Sequence, residues 1–190
     1  MEKRWNKKNA LWQLVYVLLY FVATLAVCGM GAVHPVLFVL YQVTAGVLIT
    51  GITVKAFERI QAPFVALSFS LGLMLIFLLI GEFNLWHALP IAVIGILAEV
   101  IGLVIGNEKW AAIVAKSVVM SFSTFGYYGQ IWFNRDFTYD CAVEEMPAGY
   151  AQQLMDCSPA WALPAVVIVG IGLSVCAAFI TRKLFRLNVD

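Results

Sequence analysis

Charge is scarce in this sequence. Only 12 % of its 190 residues are Asp, Glu, Lys or Arg, against about a quarter in an ordinary soluble domain. Its 12 basic and 11 acidic side chains cannot cover the surface of a water-soluble globule of this size. A net charge of +1 gives no electrostatic footprint for a nucleic-acid partner. Histidine is rarer still: His34 and His87 lie far apart, so no HExxH zinc pair exists. The GxxxxGKS or GxxxxGKT phosphate loop and the GxSxG elbow are also missing. Their absence removes P-loop ATP hydrolysis and α/β-hydrolase chemistry from this chain. No apolar stretch carries the dense Asp cluster with which an intramembrane transferase would hold metal. The chain therefore reads as a non-enzyme. Four cysteines are too few for a disulfide framework.

Apolar residues, by contrast, reach 63 % and aromatics 14 %, with a mean hydropathy of +0.91. Such aromatic content excludes a disordered chain. A helix needs about 20 mostly apolar residues to cross a bilayer, and six stretches qualify: 11–28, 36–54, 62–81, 86–106, 111–133 and 159–181. An outer loop, 134–158, separates the last two. The expectation is an all-α integral membrane protein, one six-helix domain over residues 1–190. The basic start MEKRWNKKN and the apolar run after it could be taken for a signal peptide. That run is as long as a span, and GMGAVHP offers no small-x-small cleavage site, so it reads as a retained helix.

Lys and Arg accumulate on the cytoplasmic side of membrane proteins. With the N-terminus inside, Lys3, Arg4, Lys7, Lys8, Lys55, Arg59, Lys109, Lys116, Arg182, Lys183 and Arg186 fall inside, and Arg135 alone falls outside. Glu82, Asp136, Asp140, Glu144, Glu145 and Asp156 also fall outside. Both termini are expected in the cytoplasm. Within the spans, Glu99 and Lys116 are costly unless matched. A Glu99–Lys116 pair between neighbouring helices is expected, with proton or ion coupling through Glu99 as the alternative. Ala98, Gly102 and Gly106 stand at four-residue spacing, and Ala111 and Ala115 open the fifth span. Small residues so spaced serve helix packing, or else the docking of a membrane partner.

The outer side holds the candidate site. His34 stands at the first outer turn, and Asn84, Trp86 and His87 at the second. The fifth span ends in Tyr127, Tyr128, Gln130, Trp132, Asn134, Arg135, Asp136 and Tyr139, and Trp161 begins the sixth. An interfacial aromatic belt accounts for single Trp residues. Amides and charges interleaved among rings fit a small-molecule pocket instead. Arg135 could hold a carboxylate or phosphate through its fork, or pair locally with Asp136. His34 or His87 could bind haem iron, or simply cap a loop. Cys141 and Cys157 are expected to form a disulfide across the outer segment, worth up to about 3 kcal/mol. Within it, PAGYAQQLM (147–155) reads as a short amphipathic helix, and a long structured loop of this kind is often a lid.

WFNRDFTYD (132–140), SPAWALP (158–164), TRKLFR (181–186) and the opening LWQLVYVLLYFVATLAV with GMGAVHPVLF carry a resemblance. The chain resembles the substrate-binding S components of energy-coupling factor (ECF) transporters, and among them the MptD, or Trep_Strep, group. The likeness covers essentially the whole chain. It implies a subunit of the bacterial cytoplasmic membrane that captures a vitamin, cofactor or metal-containing nutrient from outside. Haem is one candidate ligand, and no cofactor of its own is implied. It also implies partners: a transmembrane coupling subunit and two ATPases. Many S components dock through an AxxxA motif on the first helix. Here that helix has Ala23-x-x-Ala26, so Ala23, Ala26 and Gly29 are the docking candidates. An independent small-solute transporter and a membrane enzyme of unknown chemistry are the competing readings.

Overall fold

The protein is described by a computed structural model covering residues 5–187; Lys3 and Arg4 lie outside the described residues. All regular structure among the described residues is helical, as backbone in lipid must be unless it is a closed barrel. The helices are α1 (Lys7–Val33), α2 (Pro35–Val39), α3 (Tyr41–Arg59), α4 (Val65–Ile80) and α5 (Leu85–Ile105). There follow α6 (Trp110–Met120), α7 (Phe125–Tyr128), α8 (Gln130–Phe133), α9 (Arg135–Glu145), α10 (Tyr150–Cys157) and α11 (Ala162–Phe185). Three of them, α1, α5 and α11, are long and apolar enough to cross a membrane, and α4 is apolar but shorter.

Local chemistry sets the helix starts and stops. The side chains of Asn6, His34 and Asn84 accept backbone N–H groups at the starts of α1, α2 and α5, the ordinary N-cap role. Gly81, at φ +84, ends α4, a left-handed conformation that glycine adopts without strain.

Contacts between the ends show that successive long helices run in opposite directions. At one end, here the base, Trp5 Nε1 donates to Pro63 O at 2.8 Å and Arg59 lies 3.9 Å over the Trp12 ring. Lys55 faces the Phe185 ring, and Arg182 the Trp110 ring. At the other end, α10 packs on α2 and α9, and His87 of α5 meets Tyr127 of α7.

The structure departs from the expected spans in two places. The second breaks at Leu40, and its helix runs on through Lys55, Glu58 and Arg59. There Lys55 pairs with Glu58 at 3.0 Å one turn on, and Lys55 and Arg59 lie over the Phe185 and Trp12 rings. The fifth stops at Met120, after which 121–124 is irregular before α7 and α8. Side chains from other helices take up the polar groups of that break. The Tyr20 hydroxyl donates to Met120 O at 2.9 Å and bonds Ser123, Tyr41 bonds Thr124, and Gln42 Nε2 donates to Ser121 Oγ at 3.1 Å. Backbone that leaves the helix inside the protein is tolerated where its polar groups are matched in this way.

Close approach fixes the bundle elsewhere. A Cβ on Gly46 of α3 would sit 2.7 Å from Gly170 O of α11, and one on Gly126 would overlap Pro90 of α5. Ala98 is buried, and a Cβ on Gly102 would overlap the Asn107 side chain and crowd Lys116. The small residues of α5 therefore serve packing within this chain.

The expected outer loop is largely helical. The short helix expected at 147–155 is α10, displaced toward the C-terminus, and the acidic stretch before it forms α9. These two helices build a second small core of their own. In it Ile131, Ala142, Ala151 and Leu154 are buried with Val39, Ala162 and Val166, apart from the main core around Tyr20, Phe57, Phe69 and Leu73.

Candidate functional site

A small cleft, partly open to solvent, lies beneath α9 and α10. Helical spacing builds one wall: Phe137, Thr138, Cys141, Ala142 and Glu145 recur three and four residues apart along α9, on one face. Tyr150 and Leu154, four apart on α10, form the roof with Met146. Phe38 of α2 contributes, and Tyr127 and Gln130 of α7 and α8 complete the lining. Four of these side chains are aromatic rings. Among the lining residues Glu145 is the one acidic side chain, and none is Lys, Arg or His.

Gln130 is the unusual member. It is 4 % exposed, and neither its Nε2 nor its Oε1 has a hydrogen-bond partner. The buried amides Gln13 and Gln42 each keep a bond through Nε2, so Gln130 alone of the three has both head atoms unmatched. A buried polar group of this kind costs about 1–3 kcal/mol. An unmatched group in a cleft wall is one that a water or a ligand's polar atoms can meet.

Two ties hold the roof. The Tyr150 hydroxyl donates to Gly31 O in the last turn of α1. Burial pushes its phenol up to about 12, from an ordinary value near 10. Arg135 is the second tie. Its Nη1 donates to Ser158 O at 2.7 Å and Ile131 O at 3.2 Å, and its Nη2 to Met155 O at 3.1 Å. The guanidinium thus satisfies carbonyls left open at the C-terminal end of α10, where a cation is favoured. Arg135 makes no ion pair with Asp136 among the described residues, and its fork is engaged with these carbonyls.

Of the other residues expected at the site, Tyr127 lines the cleft, and Tyr128 lies behind it, stacked on Tyr41 at 3.6 Å and against Phe38. The rest stand elsewhere. His34 caps α2, its Nδ1 accepting from Val36 N at 3.2 Å. His87 has Nδ1 3.0 Å from Glu82 O and 3.2 Å from Asn84 Nδ2, and its ring supports Tyr127 from outside the cleft. Neither imidazole lines the cavity, so the residues present do not fit a haem iron there. Trp132 donates to Pro159 O at 3.2 Å. Trp86, Asp136 and Tyr139 are exposed, and Asn134 receives the Thr138 hydroxyl on its carbonyl. Trp161 borders a separate apolar groove with Val36, Val39 and Cys157.

That groove bears on the expected disulfide. Cys141 lines the lidded cleft while Cys157 faces the outer groove, and both are free thiols. The bridge is not formed, because α9 and α10 turn the two side chains toward different spaces. Burial, reinforced by Glu145, Glu144 and Asp140, pushes the Cys141 thiol upward.

Glu99 and Lys116, expected to pair, lie near enough to interact electrostatically but form no direct ion pair among the described residues. Glu99 Oε1 accepts from Phe64 N at 2.6 Å and Oε2 from Ala66 N at 3.2 Å, closing the N-terminal end of α4. Orphan N–H groups at a buried helix start are better matched by a carboxylate than by any neutral group. Lys116 instead donates to Asn107 Oδ1 at 2.7 Å and lies 4.3 Å over the Phe57 ring.

Phe38, Phe137, Thr138, Cys141, Ala142, Glu145, Met146, Tyr150 and Leu154 were not expected at the site. For those on α9 and α10 the signal lay in the three-and-four spacing across 137–145 and 150–154, which becomes visible once the outer segment is read as two helices; Phe38 and Met146 carried none. On α1, Ala26 and Gly29 are exposed among Val22, Leu25 and Met30, while Ala23 is partly buried.

No curated protein and no solved structure matches the chain. A family described as a hypothetical bacterial integral membrane protein (Trep_Strep) matches residues 8–187, and the chain belongs to that family.

Proposed function

We propose that this protein is the substrate-capturing S component of an ECF-type importer. In that role it crosses the bacterial cytoplasmic membrane six times, with both termini inside and the lid outside. The observation that carries the reading is the cleft beneath α9 and α10, with aromatic walls and an unmatched Gln130. A pocket that is mostly apolar with a few placed polar groups is the usual form of a small-molecule site. The distribution of charge supports the orientation. Among the described residues Lys7, Lys8, Lys55, Arg59, Lys109, Lys116, Arg182, Lys183 and Arg186 belong to the base half, and Asp136, Asp140, Glu144, Glu145 and Asp156 to the lid. Basic residues favour the cytoplasmic side. Glu99 is committed to closing α4, which favours this reading over an independent transporter coupled through that carboxylate.

In this mechanism the cleft takes the ligand from outside and α9–α10 cover it. A coupling subunit then engages an exposed apolar face, for which the α1 surface around Ala26 and Gly29 is the candidate, and two ATPases power release inward. The test is purification of the tagged chain from its native membrane, followed by uptake in vesicles. Copurification of a membrane coupling subunit and two ATPases, with a small molecule seen by native mass spectrometry, is expected. Uptake that proceeds in vesicles without ATP would overturn the proposal.

A further inference from the structure

We infer that the cleft recognises a neutral or positively charged planar heterocycle bearing a lactam-type edge, an N–H donor beside a carbonyl acceptor, which Gln130 reads. The inference deepens the proposed capture role and rests on that reading. Three observations lead to it. First, both head atoms of Gln130 are buried and unmatched. A carboxamide presents one acceptor and two donors in a plane, and its natural complement is a group with a donor and an acceptor side by side. Second, Phe38, Tyr127, Phe137 and Tyr150 line the same cleft, and rings favour flat, polarisable ligands that can stack. Third, the charge is of one sign. Glu145 lines the cleft, with no Lys, Arg or His among the lining residues.

The nearest cation by sequence, Arg135, is turned away and spent on Ser158, Ile131 and Met155 carbonyls. An anionic ligand would therefore meet a carboxylate with nothing to balance it, and like charges at close range are unfavourable. This excludes carboxylate and phosphate ligands as the preferred class. It also replaces haem, a dianionic porphyrin that the cleft offers no imidazole.

Gln130 should behave as a group held unsatisfied for binding. Replacing an unmatched buried amide with an apolar side chain of similar size is neutral or stabilising in the free protein. If the amide reads the ligand, the same replacement weakens binding. The test uses the full-length chain purified in detergent and titrated with four neutral lactam heterocycles: thymine, hypoxanthine, lumazine and lumichrome. The edge-blocked 1,3-dimethyllumazine, haemin and benzoate serve as comparison probes. Occupancy of the cleft is read by protection of Cys141 from maleimide.

Saturable binding of at least one lactam probe, with Cys141 protected, is expected. Binding should weaken at least about tenfold in Gln130→Leu, the size of one to two lost hydrogen bonds, while the melting temperature of that variant holds or rises. The dimethylated probe should bind Gln130→Leu and the unaltered chain alike. Gln130→Met, which keeps the side chain's length without a hydrogen-bonding edge, checks that a loss in Gln130→Leu is not a packing defect; it too should weaken lactam binding.

Protection of Cys141 by haemin or benzoate, unaffected by Gln130→Leu, would overturn the inference and leave the capture role standing. Binding by none of the lactam probes would overturn it as well. The ATP dependence of uptake, which tests the capture role, is independent of either result.

Discussion

At the base, Glu99 closes the buried start of α4 and Lys116 is held by Asn107, while at the lid end Gln130 has neither atom of its amide matched. All three are buried polar residues. Burial alone would mark each as functional, since polar groups inside a membrane are expensive. Their partners separate them. A buried group fully matched by its own chain is part of the scaffold, and one left unmatched in a cleft is available to a ligand.

The comparison breaks most readily at Glu99. Glu99→Leu strips two backbone N–H groups of their acceptor, and thermal unfolding in detergent should show a loss of about 3 kcal/mol. Glu99→Gln retains one acceptor oxygen and should lose less. Should Glu99→Gln unfold normally yet abolish uptake, the base would have to be counted as functional too.

Next in size is Arg135→Gln, which releases the carbonyls at the end of α10. About 1–2 kcal/mol is expected, read as faster proteolysis within 134–158 with the rest of the bundle intact. Tyr150→Phe removes one bond from the lid and should cost about 1 kcal/mol. It also carries a pH signature. The folded chain holds the Tyr150 proton more tightly than the unfolded chain, because burial raises the phenol to about 12. Its contribution is therefore constant below pH 10 and declines as pH rises from 10 toward 12. That part of the alkaline decline should vanish in Tyr150→Phe.

The smallest effect concerns the cysteines. With Cys141 and Cys157 free, adding reductant should leave the melting temperature unchanged, where a bridge would have contributed up to about 3 kcal/mol.

Legibility in the sequence followed the range of the interactions involved. The apolar runs that became α1, α5 and α11 were readable because span length and hydropathy are local properties. So was α10, from the amphipathic stretch at 147–155. The break after Met120 was not, because the apolar run continues across it. What accommodates the break are hydroxyls and an amide from α1 and α3, about 80–100 residues earlier in the chain. Tyr127 and Gln130, expected together because they share a level with other polar and aromatic residues, both line the cleft. Arg135 shares that level but stands outside the cleft lining. Its type and position suit an anion, and only the fold reveals that the end of α10 reaches it first. The α9 wall went unseen because an acidic segment reads as solvent-facing until its helical spacing is traced.

The acceptor of the Tyr150 bond has a consequence for access. Gly31 lies in the last turn of α1, where a helix leaves its final carbonyls without partners of their own. When α10 lifts, water can hydrate that carbonyl in place of the phenol, so opening strands no backbone acceptor. In the proposed capture role the roof would then exchange between two hydration states of one helix end. A substitution that slows or hastens that exchange would change uptake without touching the residues that hold the solute.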